Sequence, residues 1–328
     1  MNNKRVLVCG GSGFIGTHWI KRLLSSGFTE ITVVDISKPF YLDTAEIEFI
    51  QADLRDFDFC SQLVKSDFDE IYQFAADMGG AGYIFTGESD ADIVTNSAAI
   101  NLNILRALKD LDHKPKIFYS SSACIYPQSN QTDPENPNCE ESSAYPADPD
   151  SEYGWEKLFS ERLYLSYLRN YNVDVKIGRF HNVYGPLGVW NNGKEKAPSA
   201  ICRKIAEADN NGSIEIWGDG LQTRSFLYID DCLDAIELFM KSDEHGPLNI
   251  GSDEMVSINE LAGVVMNIAD KKLSLDHIEG PQGVRGRCSH NQKIAEALGW
   301  KQRYSLTEGM EKTYAWIHQQ VQESVVSE

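Results

Sequence analysis

Tyr153 and Lys157 stand four residues apart in the run Tyr-Gly-Trp-Glu-Lys. That spacing sets a phenol and an ammonium on one face of a helix. A free phenol titrates near pH ~10, and a neighbouring cation lowers that value and makes Tyr153 a usable base. Alone, the pair is a common chance pattern on solvated helix faces. It gains meaning from Ser120-Ser-Ser-Ala-Cys124 upstream. This run reads as the C-terminal end of a strand, which is where ligands sit in open α/β sheets. A serine hydroxyl there can bond the same substrate oxygen as the tyrosine.

A second constellation lies at the N-terminus. Gly10-Gly-Ser-Gly13-Phe-Ile-Gly16 separates an apolar run from an amphipathic stretch, with the spacing G-x-x-G-x-x-G. Glycines let the backbone turn tightly and approach a pyrophosphate, whose charge then faces a helix N-terminus. Asp35 ends the next apolar run, 19 residues after Gly16. A carboxylate there accepts both ribose hydroxyls and repels a 2′-phosphate, so the expected cofactor is NAD. Phe14 and Ile15 in the loop, Asp53-Leu54 after the third strand and Ala75-Ala76 after the fourth are expected to line the same site. For Asp53 a plain strand-end cap remains open.

These residues need a sheet to hold them. Strands are expected at Arg5–Cys9, Ile31–Asp35, Ile47–Ala52, Glu70–Ala75, Lys116–Ser120 and Val175–Arg179. Helices are expected at Phe14–Ser26, from Phe57, at Asp92–Leu111 and at Glu152–Tyr171. This β-α-β-α order predicts an α/β protein with a doubly wound parallel sheet. After residue 181 the character changes. Asn182–Lys196 reads as a loop, and helices follow at Pro198–Ala208, Asp230–Lys241, Ile258–Ile268 and Gln292–Leu298. That is a smaller mixed α/β C-terminal lobe.

The charge balance narrows the partners. Thirty Lys and Arg stand against forty-nine Asp and Glu, a net charge of −19. No nucleic acid and no anionic membrane surface is expected as a partner. Ample core material, with 42% apolar residues, argues against disorder. Seven Cys form no C-x-x-C pair and read as reduced thiols, with no metal site. The N-terminus opens straight into a strand with no leader pattern, so a cytoplasmic protein is expected. The eight acids of Thr132–Glu156 read as a solvated loop. Two segments run against the global sign. Residues 178–205 carry Arg179, Lys194, Lys196, Arg203 and Lys204 against only Glu195. Residues 282–303 carry Arg285, Arg287, Lys293, Lys301 and Arg303 against only Glu296. Guanidinium forks suit diphosphates, so a positive cleft in a negative shell is expected.

Glycine loop, Asp35, serine strand end and Tyr/Lys pair occur here in the order of the extended short-chain dehydrogenases/reductases. The chain resembles that family along its whole length, and within it the nucleotide-sugar epimerases and dehydratases. The resemblance implies a Rossmann-type NAD-binding domain over residues 1–180, with 226–241 returning to it, and a nucleotide-sugar lobe over 181–328. It makes Ser122, Tyr153 and Lys157 the family triad.

Narrower motifs are Ala75-Ala-Asp-Met-Gly-Gly-Ala-Gly82, Ser121-Ser-Ala-Cys-Ile-Tyr-Pro127, Gly178-Arg-Phe-His-Asn-Val-Tyr-Gly-Pro186, Lys194-Glu-Lys-Ala-Pro198, Trp217-Gly-Asp-Gly-Leu-Gln-Thr-Arg-Ser225 and Gly283-Val-Arg-Gly-Arg287. They resemble the GDP-mannose 3,5-epimerase family. That resemblance implies NAD-dependent epimerisation of a GDP-sugar at C3 and C5 through a transient 4-keto intermediate. It assigns the acid/base roles to Cys124 and Lys196, where dehydratases carry a carboxylate pair. It implies substrate contacts from Lys204, Arg224 and Arg287, with Gly79, Ser122, Asn182, Glu195, Ala197, Gln222 and Thr223 lining the site, and a homodimer. His181 reads as a structural histidine.

The chain departs from the family pattern at Phe85–Thr95, at Ser129–Asp150 and at Trp190-Asn-Asn-Gly-Lys194, where a second Gly and an Arg are expected. Epimerisation of another GDP-hexose or heptose, at one carbon or at C4, stays open on the sequence. So does a non-catalytic NAD sensor.

Overall fold

Alternate residues of the first strand face two different cores. β1 (Asn2–Cys9) sends Val6 and Val8 to one side and Leu7 and Cys9 to the other, all four fully buried. A strand buried on both faces reads as an unbroken apolar run and belongs in a parallel sheet covered by helices. The computed structural model describes residues 2–281 and 283–327 and contains that sheet. Its further strands are β2 (Phe28–Asp35), β3 (Glu48–Gln51), β4 (Glu70–Gln73), β5 (Lys116–Ser122) and β6 (Val175–Phe180). They lie in the order β3-β2-β1-β4-β5-β6, and every neighbouring pair is parallel. α1 (Phe14–Ser25) packs Trp19, Ile20 and Leu23 on the Val6/Val8 face. α2 (Phe57–Leu63) is capped by Asp56, and the one-turn α3 (Ala81–Ile84) follows. α4 (Asp90–Leu108) and α5 (Glu152–Tyr171) cover the Leu7/Cys9 face through Ile104, Leu105 and Tyr164.

The second lobe begins with β7 (Val183–Tyr184), inside the expected 182–196 loop, and α6 (Ala197–Glu207). β8 (Ser213–Trp217), β9 (Thr223–Ser225) and β10 (Leu227–Tyr228) follow. The chain then goes back to the first domain. α7 (Ile229–Lys241) covers the sheet with Ile236 and Phe239, and β11 (Leu248–Ile250) pairs with β6 as a seventh parallel strand. The return thus extends past residue 241. β12 (Met255–Ser257), α8 (Ile258–Ile268), β13 (Ser274–Ile278), β14 (Gly286–Arg287) and α9 (Gln292–Leu298) complete the lobe. α8 starts on a capping box between Ser257 and Glu260. The chain ends in α10 (Leu306–Ser327), whose Leu306, Met310, Tyr314 and Ile317 lie in the core. This helix is not among the expectations above, although its apolar spacing is helical. Among the described residues no helix is long and apolar enough to cross a membrane.

Candidate active site

The glycine loop joins β1 to α1, with Gly13 as the helix N-cap. Gly10 has φ +77°, and a Cβ on it would lie 2.6 Å from Ala75 N. A Cβ on Gly16 would lie 2.3 Å from Gly10 O, so strand and helix meet backbone to backbone. That leaves a cradle free of side chains at a helix N-terminus. Asp35 guards its lip. Its Oδ2 accepts from Ser12 N at 3.0 Å and its Oδ1 from Ser37 N at 2.9 Å. The carboxylate is thereby fixed at the mouth of the glycine loop. Ala75 is tied to Gln73, and Ala76 follows it beside the loop. Phe14 closes the other side, its ring next to Gly185 and Gly188. Ile15 packs on the same core. Leu54 is buried, whereas Asp53 is partly exposed and grips Arg55, Nη2 to Oδ2 at 2.6 Å. That bond holds the Asp53 carboxyl below its ordinary range. The cradle and its guarding carboxylate fit a dinucleotide.

β5 ends in a single 3-10 turn, Ala123–Ile125, in which Ser122 Oγ accepts from Cys124 N at 3.2 Å. α5 comes so close to this turn that a Cβ on Gly154 would lie 2.2 Å from Cys124 O. The glycine after Tyr153 is therefore required for the tyrosine to reach Ser122. Tyr153 bonds to Ser122 and is 7% exposed, and Lys157 is 2% exposed. Lys157 Nζ donates to Ser120 O at 3.0 Å and lies 5.7 Å from the centre of the Tyr153 ring.

The expected lowering of the phenol is not met by the chain alone. Burial, and then the neighbouring Cys124, hold Tyr153 above its ordinary value. Burial likewise lowers Lys157. The sequence pattern carried the ammonium but not the desolvation that opposes it.

Around Cys124 the cations gather. Arg287 Nη1 donates to Cys124 Sγ at 3.1 Å. Arg287 is 4% exposed and is gripped by Gln131 Oε1 at 2.5 Å and Asp150 Oδ2 at 3.4 Å. Burial opposes its charge, but Cys124 and Asp150 leave its pKa raised. Arg224 stands beside it, because β9 and β14 run parallel with Arg224 and Arg287 in register. Burial and the like charge of Arg287 push Arg224 down to about 9. Lys196 is the N-cap of α6. Burial lowers it as well, while Cys124 and Cys232 act the other way.

Of the lining residues, Gln222 is buried with its Oε1 unpartnered and its Nε2 on Trp217 O. Thr223 Oγ1 donates to Pro134 O at 2.5 Å. Asn182 has φ +46° and binds Ser225 O. Ala197 opens α6, and Gly79 lies against the Tyr83 ring. Two residues turn elsewhere. Glu195 accepts from Arg203 Nη2 at 3.1 Å and Gly193 N at 2.6 Å, and Lys204 Nζ donates to Glu215 O at 2.7 Å.

Three further expectations need correction or comment. The two basic segments overstate the cleft. Arg179 is locked to buried Glu161, Arg203 to Glu195 and Glu207, and Arg285 to Asp219. Lys196, Arg224 and Arg287 are the members that converge. The acidic stretch is not all solvated, since Asp150 and Glu156 are buried and Glu141 caps Asn249 N. His181 is structural as expected. Its Nε2 meets Asn249 Oδ1 at 2.9 Å, and burial pushes its pKa down to about 3. Sequence reasoning missed Gln131 and Asp150. Both find Arg287 only through the fold, 156 and 137 residues away. None of the seven cysteines is in a disulfide, and the described residues contain no cluster able to hold a metal ion.

Residues 6–251 match the NAD dependent epimerase/dehydratase family. The chain is 43% identical over 320 residues to GDP-mannose 3,5-epimerase 1 of Oryza sativa subsp. indica, covering 97% of this chain and 82% of that protein. It is 42% identical over 322 residues to GDP-mannose 3,5-epimerase of Arabidopsis thaliana, covering 98% and 84%. The fold is similar to the crystal structure of UDP-glucuronic acid 4-epimerase from Bacillus cereus in complex with UDP-glucuronic acid and NAD. That match has a TM-score of 0.81 and 26% identity, over 96% of this chain and 99% of that one.

Proposed function

Because the chain belongs to the NAD dependent epimerase/dehydratase family, and within it to the GDP-mannose 3,5-epimerase family, we propose that it inverts GDP-mannose at C3 and C5, giving GDP-L-galactose, with GDP-L-gulose as the product of inversion at C5 alone. It is an NAD-dependent nucleotide-sugar epimerase. NAD held by the glycine loop and Asp35 would supply a hydride acceptor for C4 and the return of that hydride, so that no net oxidation results. Tyr153 takes the O4 proton, and Ser122, bonded to the same phenol, orients that oxygen. Lys157, anchored on Ser120 O, fixes the tyrosine from behind.

A carbonyl at C4 acidifies the protons on C3 and C5. Cys124 and Lys196 then remove a proton on one ring face and deliver it on the other. Burial keeps Lys196 below the ordinary lysine range, which frees its amine to accept a proton. Arg287, in contact with the sulfur, fixes where Cys124 delivers its proton. Arg224 and Arg287, in register and mutually repelling, hold the diphosphate, which turns their repulsion into attraction.

We assign NAD to the domain of residues 1–180 and the GDP-sugar to the lobe of 181–328. One observation carries the reading. Cys124, in the turn that ends β5, takes a hydrogen bond from Arg287 Nη1 on its sulfur at 3.1 Å, and it neighbours both Tyr153 and the lysine at the start of α6. Incubation with GDP-mannose in D₂O tests it. Deuterium is expected at both C3 and C5 of the product, and uptake at neither carbon would overturn the assignment.

The same proposal includes a homodimer. Trp155 and Phe159 of α5 are 43% and 49% exposed beside Tyr145, and a second copy would cover them. A single-copy mass on sedimentation would defeat it. Seven unpaired thiols support a cytoplasmic setting, and disulfides in the purified native protein would count against it.

A further inference from the structure

We propose that Tyr83 is a positioning residue for Lys196, acting through the loop of residues 192–196. The proposal rests on the acid/base reading above and adds a residue that none of its steps uses. Tyr83 lies in α3, whose N-cap Gly80 touches the loop that leads into α6. Its ring centre is 3.7 Å from Lys194 Nζ, a cation over an aromatic face. Next to it Gly80 N donates to Lys194 O at 3.0 Å, and a Cβ on Gly80 would lie 2.3 Å from Glu195 O. The two loops therefore touch through backbone and ring together.

The tyrosine is itself held. Its hydroxyl donates to Asp77 Oδ1 at 2.9 Å, Asn96 Nδ2 donates to Asp77 Oδ2 at 2.8 Å, and Arg55 Nη1 donates to Asn96 Oδ1 at 2.6 Å. Gly193 N and Arg203 hold Glu195 from the other side. Lys196 is thus the end of a loop clamped at Lys194 and Glu195, directly before α6 fixes its backbone. Lys194 closes the segment Trp190–Lys194, one of those where this chain departs from the family pattern.

A clamped loop does two things for Lys196. It sets the amine across from Cys124, and it excludes the water that would restore an ordinary lysine pKa. Loosening it should slow the proton transfer made by Lys196 and leave that made by Cys124 intact.

The test compares solvent deuterium uptake at C3 and C5 for the holoenzyme with GDP-mannose. Tyr83→Leu is expected to slow uptake at C3 and C5 alike by about tenfold to a hundredfold, because inversion at each carbon uses Lys196 on one ring face and Cys124 on the other. Its pH profile should move to higher pH, because a rehydrated lysine is neutral only there. Reduction of NAD by substrate, which uses neither group, should stay at the wild-type rate. Lys194→Met, an exposed change, should give the same pattern more weakly, and Lys194→Arg should keep wild-type uptake. Slowed reduction of NAD, an unmoved pH profile or unchanged rates would overturn the role of Tyr83. Wild-type uptake at neither carbon would instead overturn the function itself, so the two failures are distinguishable.

Discussion

Two groups of buried charges flank the end of β5, and they are built in opposite ways. Behind the strand, Arg179 forks onto Glu161 through Nε and Nη2 at 2.9 and 2.8 Å. Ser121 donates to the same carboxylate, and Arg179 Nη1 reaches the Tyr126 hydroxyl. That hydroxyl donates to Asn249 Oδ1, which also meets His181. In front of the strand, Arg224 and Arg287 lie in register as like charges. Lys196 is held below its ordinary range there, and Asp150 Oδ1 and Gln222 Oε1 are buried without a hydrogen-bond partner. A buried ion pair with its hydrogen bonds made is part of the scaffold. Like-charged side chains in register, one buried and one half-buried, beside buried oxygens lacking a donor, are the pattern expected of a site built for a ligand. Whether a charge is matched by an opposite charge thus separates structure from function more sharply than residue type does.

The comparison breaks if the two groups respond alike to substitution. The largest effect is expected in front. Cys124→Ser should lower epimerisation by about 10²–10⁴-fold while NAD binding and the unfolding midpoint stay at wild-type values. A normal rate would remove Cys124 from the chemistry. Behind the strand, Glu161→Gln leaves the Arg179 charge buried and uncompensated. A loss of about 3–5 kcal/mol in denaturant unfolding is expected, with the ratio of deuterium uptake at C3 and C5 unchanged. A loss below ~1 kcal/mol would show that the pair is not the scaffold described.

A further effect behind the strand is pH-linked and is spread over several pH units. Burial pushes His181 from 6.5 to about 3, so the unfolded chain binds the extra proton between those values. The stability linked to neutral His181 is full above pH 6.5 and is lost as the pH falls toward 3. The slope is about 1.4 kcal/mol per pH unit. A His181→Gln variant should flatten the acid limb of the stability curve by that amount, and an unchanged limb would show that His181 does not stay neutral.

Much of this was legible in the residues. The glycine loop, Asp35, the serine strand end and the Tyr/Lys pair are local patterns. Each sits on an element whose period the sequence shows, and α5 and α8 begin and end where the spacing places them. What stayed hidden depends on tertiary neighbours. Asp150 looked like one more surface acid until β14 brought Arg287 to it. Arg179 counted as a cleft cation until Glu161 claimed it from α5. Segment charge is a one-dimensional count, whereas the field at a site depends on which charges already have partners. β11 escaped notice for another reason. Three residues, Leu248–Ile250, carry too little period to announce a strand, and only pairing with β6 makes them one.

That late strand bears on how the protein is made. β6 and β11 are separated by the whole of α6 and α7, so the cofactor sheet gains its last strand only after residue 250 has left the ribosome. By then β7, α6 and β8 to β10 of the second lobe have already been synthesised, threaded between two strands of the large sheet. The two lobes are interlaced along the chain and are not beads in series. A break in translation before residue 250 would leave β6 as an open edge, ready to pair with another chain. The large sheet therefore has no route to its seventh strand that does not pass through the second lobe.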